Sequence, residues 1–310
     1  MKKLSILVLT LFIFVGLLTG CTTNKSENTE QPVGADPQNQ EEYPVHEIEN
    51  IAVFGLDDKT DGRNELETDA VKIVSLDYDD QTVRVFSVPR NTLTLSNDQI
   101  VAFNKIYGKS GIEGSLTALN DLTGLDIEKY VAFDYEGLKA LVDKLGGVEI
   151  ELSQAEIDQK YRDLGIEGEA GTYTLTKDQI ISYVRLYQID DDNTRMDRTT
   201  KVLKAAFTKA KDLGALKLAG LIPDLLPYVK TNLNLDEMIQ LAQDVSAFEK
   251  ADLQLQNVND FVTFSEETNL NGVKPTDYIE LAKALNQAIY GKDYPFEATE
   301  ILTKINEALK

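Results

Sequence analysis

Residues 70–88 read AVKIVSLDYDDQTVRVFSV, and much of the architecture can be worked out from this stretch. Residues 70–78 (AVKIVSLDY) and 82–88 (TVRVFSV) are rich in β-branched and other apolar side chains, and the polar turn Asp79-Asp80-Gln81 separates them. Two such runs around a short polar turn predict a β-hairpin. The apolar run at residues 51–56 (IAVFGL) precedes the hairpin and predicts a buried strand.

Helices are predicted downstream, in alternation with strands. Residues 136–145 (EGLKALVDKL) have a helical pattern that Gly146-Gly147 would end, and residues 148–152 (VEIEL) follow as a strand. Further helices are expected at about residues 113–122, 177–184, 199–213, 235–248, 275–290 and 297–309. Strands mixed with helices predict an α/β fold in which helices pack on a sheet.

The first 21 residues, MKKLSILVLTLFIFVGLLTGC, have the layout of a secretory signal peptide. Lys2 and Lys3 precede an apolar run at residues 4–18, which is shorter than the roughly 20 residues that a transmembrane helix needs. The string Leu18-Thr19-Gly20-Cys21 resembles the lipobox of bacterial lipoproteins, whose cysteine is lipidated. We therefore expect a lipoprotein signal peptide at residues 1–20 and a lipid anchor at Cys21. An uncleaved signal anchor with an incidental cysteine is the alternative.

A tether and one domain are expected to follow. Residues 22–46 are polar and carry Pro, Gly, Gln and Glu with few apolar residues, which predicts a disordered tether. Residues 47–310 contain neither a second linker of that composition nor an internal repeat. Their length suffices for one large domain or two small ones. We expect a single domain with a helical C-terminal extension.

Cysteine and histidine are nearly absent. The chain has one of each, Cys21 and His46, and both precede the predicted domain. These counts exclude an intrachain disulfide, a cysteine–histidine catalytic pair and a zinc site with the usual histidine and cysteine ligands. An active site must therefore be built from carboxylates, arginine, lysine, hydroxyl and backbone groups.

The protein is strongly acidic. It has 52 Asp and Glu residues against 31 Lys and Arg residues, a formal net charge of -21. A field of this sign repels nucleic acid and anionic lipid surfaces, so no nucleic-acid partner is expected. Attachment to a membrane would depend on the lipid anchor.

Two carboxylates and an arginine are predicted to meet at one end of the sheet. Asp57 follows the first predicted strand, Asp69 precedes the second, and Arg90 follows the third. If neighbouring strands run antiparallel, their ends bring these three side chains to the same rim. Taken singly, each of them could equally be a surface charge that only solvates a loop.

Arginine is scarce, and three of the seven arginines fall in the segment YVRLYQIDDDNTRMDR at residues 183–198. Arg195 and Arg198 are three apart and would share one face at the start of the helix that continues through residues 199–213. A helix N-terminus with two guanidinium groups suits phosphate oxygens. Alternatively, the aspartates at 190–192 and Asp197 pair with these arginines.

Several strings, taken in order, resemble the LytR-CpsA-Psr family of cell-wall glycopolymer transferases. They are IAVFGLDD, TDAVKIVSLD, VFSVPRNT, FNKIYG, LVDKLGGVEIEL and ISYVRLYQIDDDNTRMDRTTKVLKA, and they cover roughly residues 51–213. The resemblance implies an α-β-α sandwich with a mixed central sheet flanked by helices. It also implies an enzyme at the outer face of the cell membrane that moves a polyprenyl-pyrophosphate-linked glycopolymer, of teichoic acid or capsule type, onto peptidoglycan.

The resemblance implies roles for individual positions. Asp57 and Asp69 match the aspartates of the family's magnesium site, so Mg2+ is the expected cofactor. Arg90 matches the arginine of a Pro-Arg-Asp motif and is expected to be catalytic. Asp192 is the second expected catalytic residue, because it lies where an aspartate would orient an arginine or a nucleophile. The expected ligands of the pyrophosphate are Arg90, Lys105, Arg185, Arg195 and Arg198.

Four positions depart from the family pattern: Glu67 in place of arginine, Asn91 in place of aspartate, Tyr187 in place of arginine and Thr199 in place of glutamine. The loss of positive charge leaves an alternative open, a catalytically weak lipoprotein that binds polyprenyl phosphate or regulates the cell envelope. A solute-binding lipoprotein of a transporter is a further alternative, supported by the anchor and tether alone.

A polyprenyl carrier would also need an apolar channel. Seven apolar side chains on the helices predicted at residues 136–145 and 199–213 would flank it: Leu138, Leu141, Val142, Val202, Leu203, Ala206 and Phe207. The alternative is that these residues pack in an ordinary hydrophobic core.

The substitution Cys21→Ala tests the anchor. It removes the thiol that would carry the lipid, so we expect the protein to remain as an unprocessed precursor or to be released into the medium. Membrane partitioning after a high-salt wash, together with mobility on a gel, measures the outcome. A variant that stays with the membrane and migrates like the mature protein would contradict the lipoprotein prediction.

Overall fold

The structure, a computed structural model, describes residues 47–57, 66–159, 164–186, 192–213, 215–247 and 253–310. The predicted signal peptide, the predicted lipidation site Cys21 and the predicted tether lie outside the described residues. Within the described ranges, no helix combines the length and the apolar composition that crossing a membrane requires.

In the described part of the chain, strands form one central sheet and three two-stranded sheets. In chain order they are β1 (Ile48–Leu56), β2 (Thr68–Asp77), β3 (Thr82–Val88), β4 (Leu93–Ser96), β5 (Gln99–Ala102), β6 (Lys129–Phe133), β7 (Val148–Leu152), β8 (Gly171–Leu175), β9 (Val229–Thr231), β10 (Leu253–Asn257), β11 (Phe264–Glu267) and β12 (Gly272–Pro275). The central sheet has the order β10-β3-β2-β1-β6-β9. It is mixed, because β1 pairs antiparallel with β2 and parallel with β6.

Helices cover both faces of the central sheet. They are α1 (Ile106–Thr123), α2 (Tyr135–Lys144), α3 (Gln154–Ile157), α4 (Lys177–Val184), α5 (Asp192–Leu213), α6 (Ala215–Leu225), α7 (Leu235–Ala247), α8 (Tyr278–Tyr290) and α9 (Glu300–Ala308). Helices α1, α8 and α9 contribute to the core on one face, and α2 and α4 to α7 contribute to the core on the other. The predicted α-β-α sandwich is confirmed.

Alternate side chains of β1 enter opposite cores. Ile51 and Val53 belong to the core beneath α2 and α5, whereas Ala52 and Phe54 belong to the core beneath α1 and α8. All four side chains are buried. Residues 51–54 of β1 are covered on both faces of the sheet, which explains why this part of the strand is a continuous apolar run and not an alternating one.

The predicted hairpin at residues 70–88 is confirmed. β2 and β3 pair antiparallel, with Val71 opposite Val88 at the open end. At the turn, Asp77 accepts hydrogen bonds from the amide of Asp80 at 2.9 Å and from Nη1 of Arg84 at 3.3 Å. The carboxylate of Asp77 therefore holds the turn that sets the register.

Short strands and the helical segment before Gly111 were not predicted. Strands β6, β9 and β10 have only three to five residues each, too few for a periodic pattern to stand out. Helix α1 (Ile106–Thr123) consists of two helical segments separated at Gly111, whose φ of 65° and ψ of -162° are not helical. Glycine adopts such a conformation without steric cost, and the helix predicted at about residues 113–122 corresponds to the segment after this break.

The hydroxyl of Tyr278 links α8 to β4. Tyr278 is 1% exposed, and its hydroxyl donates to the carbonyl of Leu93 at 2.8 Å. Burial, reinforced by the negative charge of Glu267, raises the pKa of Tyr278, so the donor stays protonated at neutral pH.

Tyr278→Phe leaves a buried carbonyl without this donor, and we expect the free energy of unfolding to fall by about 1–3 kcal/mol.

Tyr173→Phe is the matched control. The hydroxyl of Tyr173 donates to the carbonyl of Glu169 at 2.7 Å, but at an exposed position. Water replaces the lost bond there, so we expect a change below about 0.5 kcal/mol. Urea denaturation measures the free energy of unfolding of both variants. If both lose the same free energy, burial does not explain the effect at Tyr278.

Candidate functional site

Side chains at one end of the central sheet form the candidate site. Asp57 directly follows β1, Asp69 is the second residue of β2, and Arg90 lies two residues beyond β3. Nη1 of Arg90 donates to Oδ1 of Asp69 at 2.8 Å, and the amide of Asp57 donates to the carbonyl of Glu67 at 3.0 Å. The antiparallel strands therefore bring Asp69 and Arg90 together as predicted, with Asp57 on the same rim.

Tyr135 connects Asp69 to a second arginine. Its hydroxyl donates to Oδ2 of Asp69 at 2.9 Å, and Cζ of Arg185 lies 5.0 Å from the centroid of its ring. Both carboxylate oxygens of Asp69 thus accept a hydrogen bond, one from Arg90 and one from Tyr135. We call these four side chains, Arg90, Asp69, Tyr135 and Arg185, the rim row.

The parallel pairing of β1 and β6 explains why Tyr135 lies here. Carboxyl ends of parallel strands meet at one edge of a sheet, where α/β folds commonly bind ligands. β6 ends at Phe133, and Asp134 then caps α2 by accepting a hydrogen bond from the amide of Gly137, so Tyr135 is the first helical residue. Sequence analysis missed Tyr135 because it did not predict β6. The available signal was the apolar run before the capping residue Asp134.

Arg185 reaches Tyr135 from the end of α4. It is the C-cap residue of that helix, and its amide donates to the carbonyl of Ile181 at 3.2 Å. Helix α4 packs against α2, so the guanidinium at the C-terminus of one helix meets the ring at the N-terminus of the other. A cation is stabilised both at a helix C-terminus and over an aromatic face.

Glu67 and Lys105 form a second charged pair on this rim. Glu67 is 4% exposed; its Oε1 pairs with the ammonium of Lys105, and its Oε2 accepts a hydrogen bond from Nδ2 of Asn104 at 2.6 Å. The backbone amide of Asn104 donates to the backbone carbonyl of Arg90 at 2.8 Å. This bond attaches the charged pair to the segment that carries Arg90. Lys105, an expected pyrophosphate ligand, therefore has a carboxylate partner in this structure.

A largely apolar pocket opens beside the rim row. Its volume is about 430 Å³, including space that is open to solvent. The residues that line it come from β1, β2, the junction of β6 with α2, α4 and α5: Gly55, Leu56, Asp69, Ala70, Phe133, Asp134, Tyr135, Leu138, Val184 and Thr199. Asp69 and Tyr135 thus place polar groups on the wall of an otherwise mainly apolar pocket.

Lys72 joins the sheet to α5 behind this pocket. It is 3% exposed, and its ammonium donates to Oγ of Ser87 at 2.7 Å and to Oγ1 of Thr200 at 3.1 Å. Ala70, on the same face of β2, and Thr199, the neighbour of Thr200, both line the pocket. Sequence analysis did not single out Lys72, although a lysine inside an apolar strand was a visible signal.

Arg198 lies inside the protein. It is 1% exposed, its Nη2 donates to the carbonyl of Leu186, and its Nη1 lies 3.8 Å from Oε1 of Glu156, which is also buried. These contacts connect α5 to α3 and to the end of the segment that carries Arg185. In this structure the guanidinium of Arg198 is thus shielded from solvent and faces oxygens of the protein itself.

The side chains of two predicted site residues, Asp192 and Arg195, lie outside the described part of the structure. Both residues lie at the start of α5, and Tyr187 is outside the described residues altogether. Their expected roles stay predictions.

Two carboxylates at the rim are the candidate protein ligands of a metal ion. Among the described residues, no group of three or more histidine, cysteine, aspartate or glutamate side chains is arranged to hold a metal ion. Asp57 and Asp69 supply two carboxylates on one rim. That donor set fits Mg2+, which commonly uses one or two carboxylates and completes its shell with water and substrate phosphate.

The seven apolar residues expected to flank a channel are all buried in the core on the α2 and α5 side of the sheet. Leu138 also lines the pocket, so that core begins directly behind the pocket wall. In this conformation the residues pack as the alternative of an ordinary core predicts.

Comparison with known proteins gives a family match. The model of the LytR_cpsA_psr family matches residues 16–288. The chain is 24% identical over 249 residues to the polyisoprenyl-teichoic acid–peptidoglycan teichoic acid transferase TagV of Bacillus subtilis, covering 73% of this chain and 63% of TagV. It is 26% identical over 236 residues to the transferase TagU of Halalkalibacterium halodurans, covering 72% of each. The chain thus spans less than two thirds of the length of TagV.

Solved structures share the fold. Bacillus subtilis TagT has a TM-score of 0.62 at 19% identity, over 81% of this chain and 94% of TagT. TagT bound to LIIa-WTA has a TM-score of 0.65 at 20% identity, over 78% of this chain and 91% of that chain. Bacillus subtilis TagV has a TM-score of 0.62 at 22% identity, over 80% of this chain and 98% of that chain.

The arginines of the site should differ in chemical reactivity. Arg185 is partly exposed, whereas Arg198 is 1% exposed. In the folded protein we expect phenylglyoxal, which modifies guanidinium groups, to react with Arg198 at least about tenfold more slowly, because Arg198 becomes accessible only through local opening. Peptide mass spectrometry measures both rates, and protein unfolded in urea is the control in which they should be similar. Equal rates in the folded protein would contradict the burial of Arg198.

Proposed function

The chain belongs to the LytR-CpsA-Psr family, and from this premise we propose that it is a phosphotransferase acting on a polyprenyl-pyrophosphate-linked glycopolymer, of teichoic acid or capsule type, with peptidoglycan as acceptor. The observation that carries the proposal is the rim row beside the apolar pocket. Two arginines, a carboxylate and an apolar wall suit a ligand that joins a pyrophosphate to a lipid. The names of the curated relatives support the same class of reaction.

The proposed reaction moves a phosphoryl-linked glycan between two oxygens. An acceptor hydroxyl of peptidoglycan forms a bond to the phosphorus that carries the glycan and loses its proton. The bond from that phosphorus to the bridging oxygen of the pyrophosphate breaks, and polyprenyl phosphate leaves. Negative charge grows on the leaving phosphate. Arg90 and Arg185 are the described cations best placed to stabilise that charge, since preorganised guanidinium groups need no rearrangement during the reaction.

We propose that Asp57 and Asp69 hold Mg2+ together with the substrate phosphates. When bound, the ion would supply positive charge to the pyrophosphate. Asp69 would also keep Arg90 oriented, because the two side chains are already hydrogen-bonded at 2.8 Å. Asp192 and Arg195 keep their expected roles as a catalytic residue and a pyrophosphate ligand.

The apolar pocket is the proposed entrance for the polyprenyl chain. Leu56, Phe133, Leu138 and Val184 form its apolar wall. The residues deeper between α2 and α5 pack as core, so a long isoprenoid would require these helices to separate on binding. A lipid anchor at Cys21 would hold the protein at the extracytoplasmic face of the membrane, where both lipid carrier and peptidoglycan are reached.

Glu67 favours a second candidate function, a catalytically weak lipoprotein that binds polyprenyl phosphate. Its buried carboxylate pairs with Lys105, which reduces the positive charge available to a pyrophosphate. A site with fewer effective cations would lose stabilisation of the transition state before it lost affinity for the lipid. Binding without turnover is therefore the outcome that separates the two candidates.

Substitutions at the rim should separate binding from transfer. Arg185→Ala removes charge-assisted hydrogen bonds to phosphate worth roughly 1.5–3 kcal/mol, so we expect a short polyprenyl pyrophosphate to bind about ten- to hundredfold more weakly. Asp57→Ala should reduce transfer more than binding, because a metal there acts mainly on the leaving group. Calorimetry with and without Mg2+ measures binding, and transfer to peptidoglycan fragments is assayed separately.

Arg84→Lys is the control for a lost guanidinium. Arg84 lies at the opposite end of β3 and pairs with Asp77 at 3.3 Å, so neither binding nor transfer should change. Arginine-dependent binding without transfer by the unmodified protein would leave the binding lipoprotein as the function. Absence of binding by the unmodified protein would overturn both candidates.

A further inference from the structure

We propose that Gly55 is a positioning residue: it lets β1 and β2 approach closely at a β-bulge that turns the carboxylate of Asp69 toward the pocket. The inference rests on the proposed function in one respect, that the ligands presented to Asp69 are the metal ion and the pyrophosphate of the substrate. The role of Gly55 itself follows from the register of two strands and from the space around this glycine.

The bulge lies where the register of β1 and β2 shifts, between Gly55 and Leu56. Gly55 is opposite Ala70, whereas Leu56 is opposite Thr68, so Asp69 is an extra residue on β2. The other residues of β1 are opposite residues of β2 one to one. An extra residue on one strand of an antiparallel pair is a β-bulge, a feature that re-aims a side chain and is frequent next to active sites.

The bulge decides on which side of the sheet the Asp69 side chain lies. Val71 and Ile73 of β2 enter the core beneath α1 and α8. Strict alternation along the strand would send Asp69 to that same side. Instead, Asp69 lines the pocket together with its neighbour Ala70, and its Oδ2 accepts a hydrogen bond from Tyr135 at the start of α2. The extra residue therefore brings the carboxylate to the side of the sheet on which the pocket lies.

Gly55 leaves the space that the bulge requires. A side-chain carbon at Gly55 would lie 3.0 Å from Cβ of Ala70 and 3.6 Å from its backbone nitrogen. Carbon atoms that are not bonded to each other pack best at about 3.5–4.0 Å, so the first of these distances is a clash. Cβ of Ala70 is fixed to the backbone and cannot rotate away. A larger residue at Gly55 would therefore push the two strands apart.

The close approach lies next to both carboxylates of the proposed metal site. Asp57 is two residues beyond Gly55, and Asp69 directly precedes Ala70. Beyond the bulge the strands are joined again, because the amide of Asp57 donates to the carbonyl of Glu67 at 3.0 Å. The distance between the strands at Gly55 therefore sets where both carboxylates start. A ligand site of this kind has to be held to within about 0.5 Å.

Exchanging the two small residues tests the close approach, with inorganic pyrophosphate in the presence of Mg2+ as the probe and calorimetry as the measurement. Gly55→Ala separates the strands at the bulge, so we expect pyrophosphate to bind about tenfold more weakly. Adding Ala70→Gly removes the methyl group that the new side chain meets, and the affinity should return to within about threefold of the unmodified protein. Ala70→Gly alone should stay within the same range.

Gly171→Ala is the matched control. Gly171 also lies in a strand, β8, but a side-chain carbon there would have its nearest neighbours at 3.9 Å and 4.0 Å, which are ordinary contact distances. We expect its pyrophosphate affinity to stay within about twofold of that of the unmodified protein.

Thermal unfolding checks that each variant folds. If Gly55→Ala does not fold, Gly55→Val in the Ala70→Gly background replaces it; the larger side chain crowds the same gap again and should weaken binding about tenfold relative to Ala70→Gly alone. An unchanged affinity in the crowded variant would overturn the proposal. A loss in Gly55→Ala that Ala70→Gly does not reverse would overturn it as well, since Gly55 would then act in some way other than through the gap between the strands.

The stability of variants at Tyr135 distinguishes failure of the positioning role from failure of the proposed function. Tyr135→Phe removes the hydroxyl that donates to Oδ2 of Asp69 at 2.9 Å. If Gly55→Ala displaces Asp69, this hydrogen bond is already weakened. Tyr135→Phe should then lower the midpoint of urea denaturation by at most about half as much as it does in the unmodified protein, and Ala70→Gly should restore the full decrease.

This comparison of stabilities does not depend on any ligand. If the unmodified protein binds no pyrophosphate, the proposed function falls, and the comparison still decides the role of Gly55. Equal decreases on Tyr135→Phe with and without Gly55→Ala would overturn that role even if pyrophosphate binds.

Discussion

The antiparallel register of β1, β2 and β3 is the constraint on which the candidate site depends. Ile51 and Ala52 in β1 and Ile73 and Val74 in β2 are completely buried, on opposite faces of the sheet. A shift of the pairing by one residue would exchange the side chains that enter the two cores, and close-packed cores of different shape do not accept that exchange. With the register held in this way, the ends of the strands have fixed positions, and Asp69 is brought to Arg90.

The rim combines balanced pairs of charges within a strongly acidic protein. Asp69 pairs with Arg90, and Glu67 pairs with Lys105. A ligand that binds there must compete with carboxylates, which favours groups with several negative charges, such as a pyrophosphate, over a single charge. The formal charge of -21 adds a repulsive field, so affinity has to come from short-range contacts and from the apolar wall of the pocket.

The arginine-rich segment contributes to two different environments. Arg185 lies beside the pocket over Tyr135, whereas Arg198 is buried against Glu156 and the Leu186 carbonyl. The buried pair costs desolvation, and removing one partner would leave an uncompensated charge. The contacts of Arg198 link the start of α5 to α3 and to Leu186, two residues beyond the end of α4. The contacts of Arg198 thus help to position the chain next to Arg185.

Local patterns in the sequence determined the hairpin at residues 70–88, most helices and the layered fold, because turn chemistry and periodic burial act between near neighbours. The meeting of Asp69 and Arg90 was also within reach, since it follows from where antiparallel strands end. The bridge through Tyr135, the pairing of Lys105 with Glu67 and the burial of Arg198 were decided by tertiary structure alone. Each of these depends on contacts between distant parts of the chain, such as the pairing of β6 with β1. Contacts of this kind produce no periodic pattern in the sequence. For that reason the sequence could indicate which charged residues approach the rim, while only the packed structure could decide which of them pair with each other.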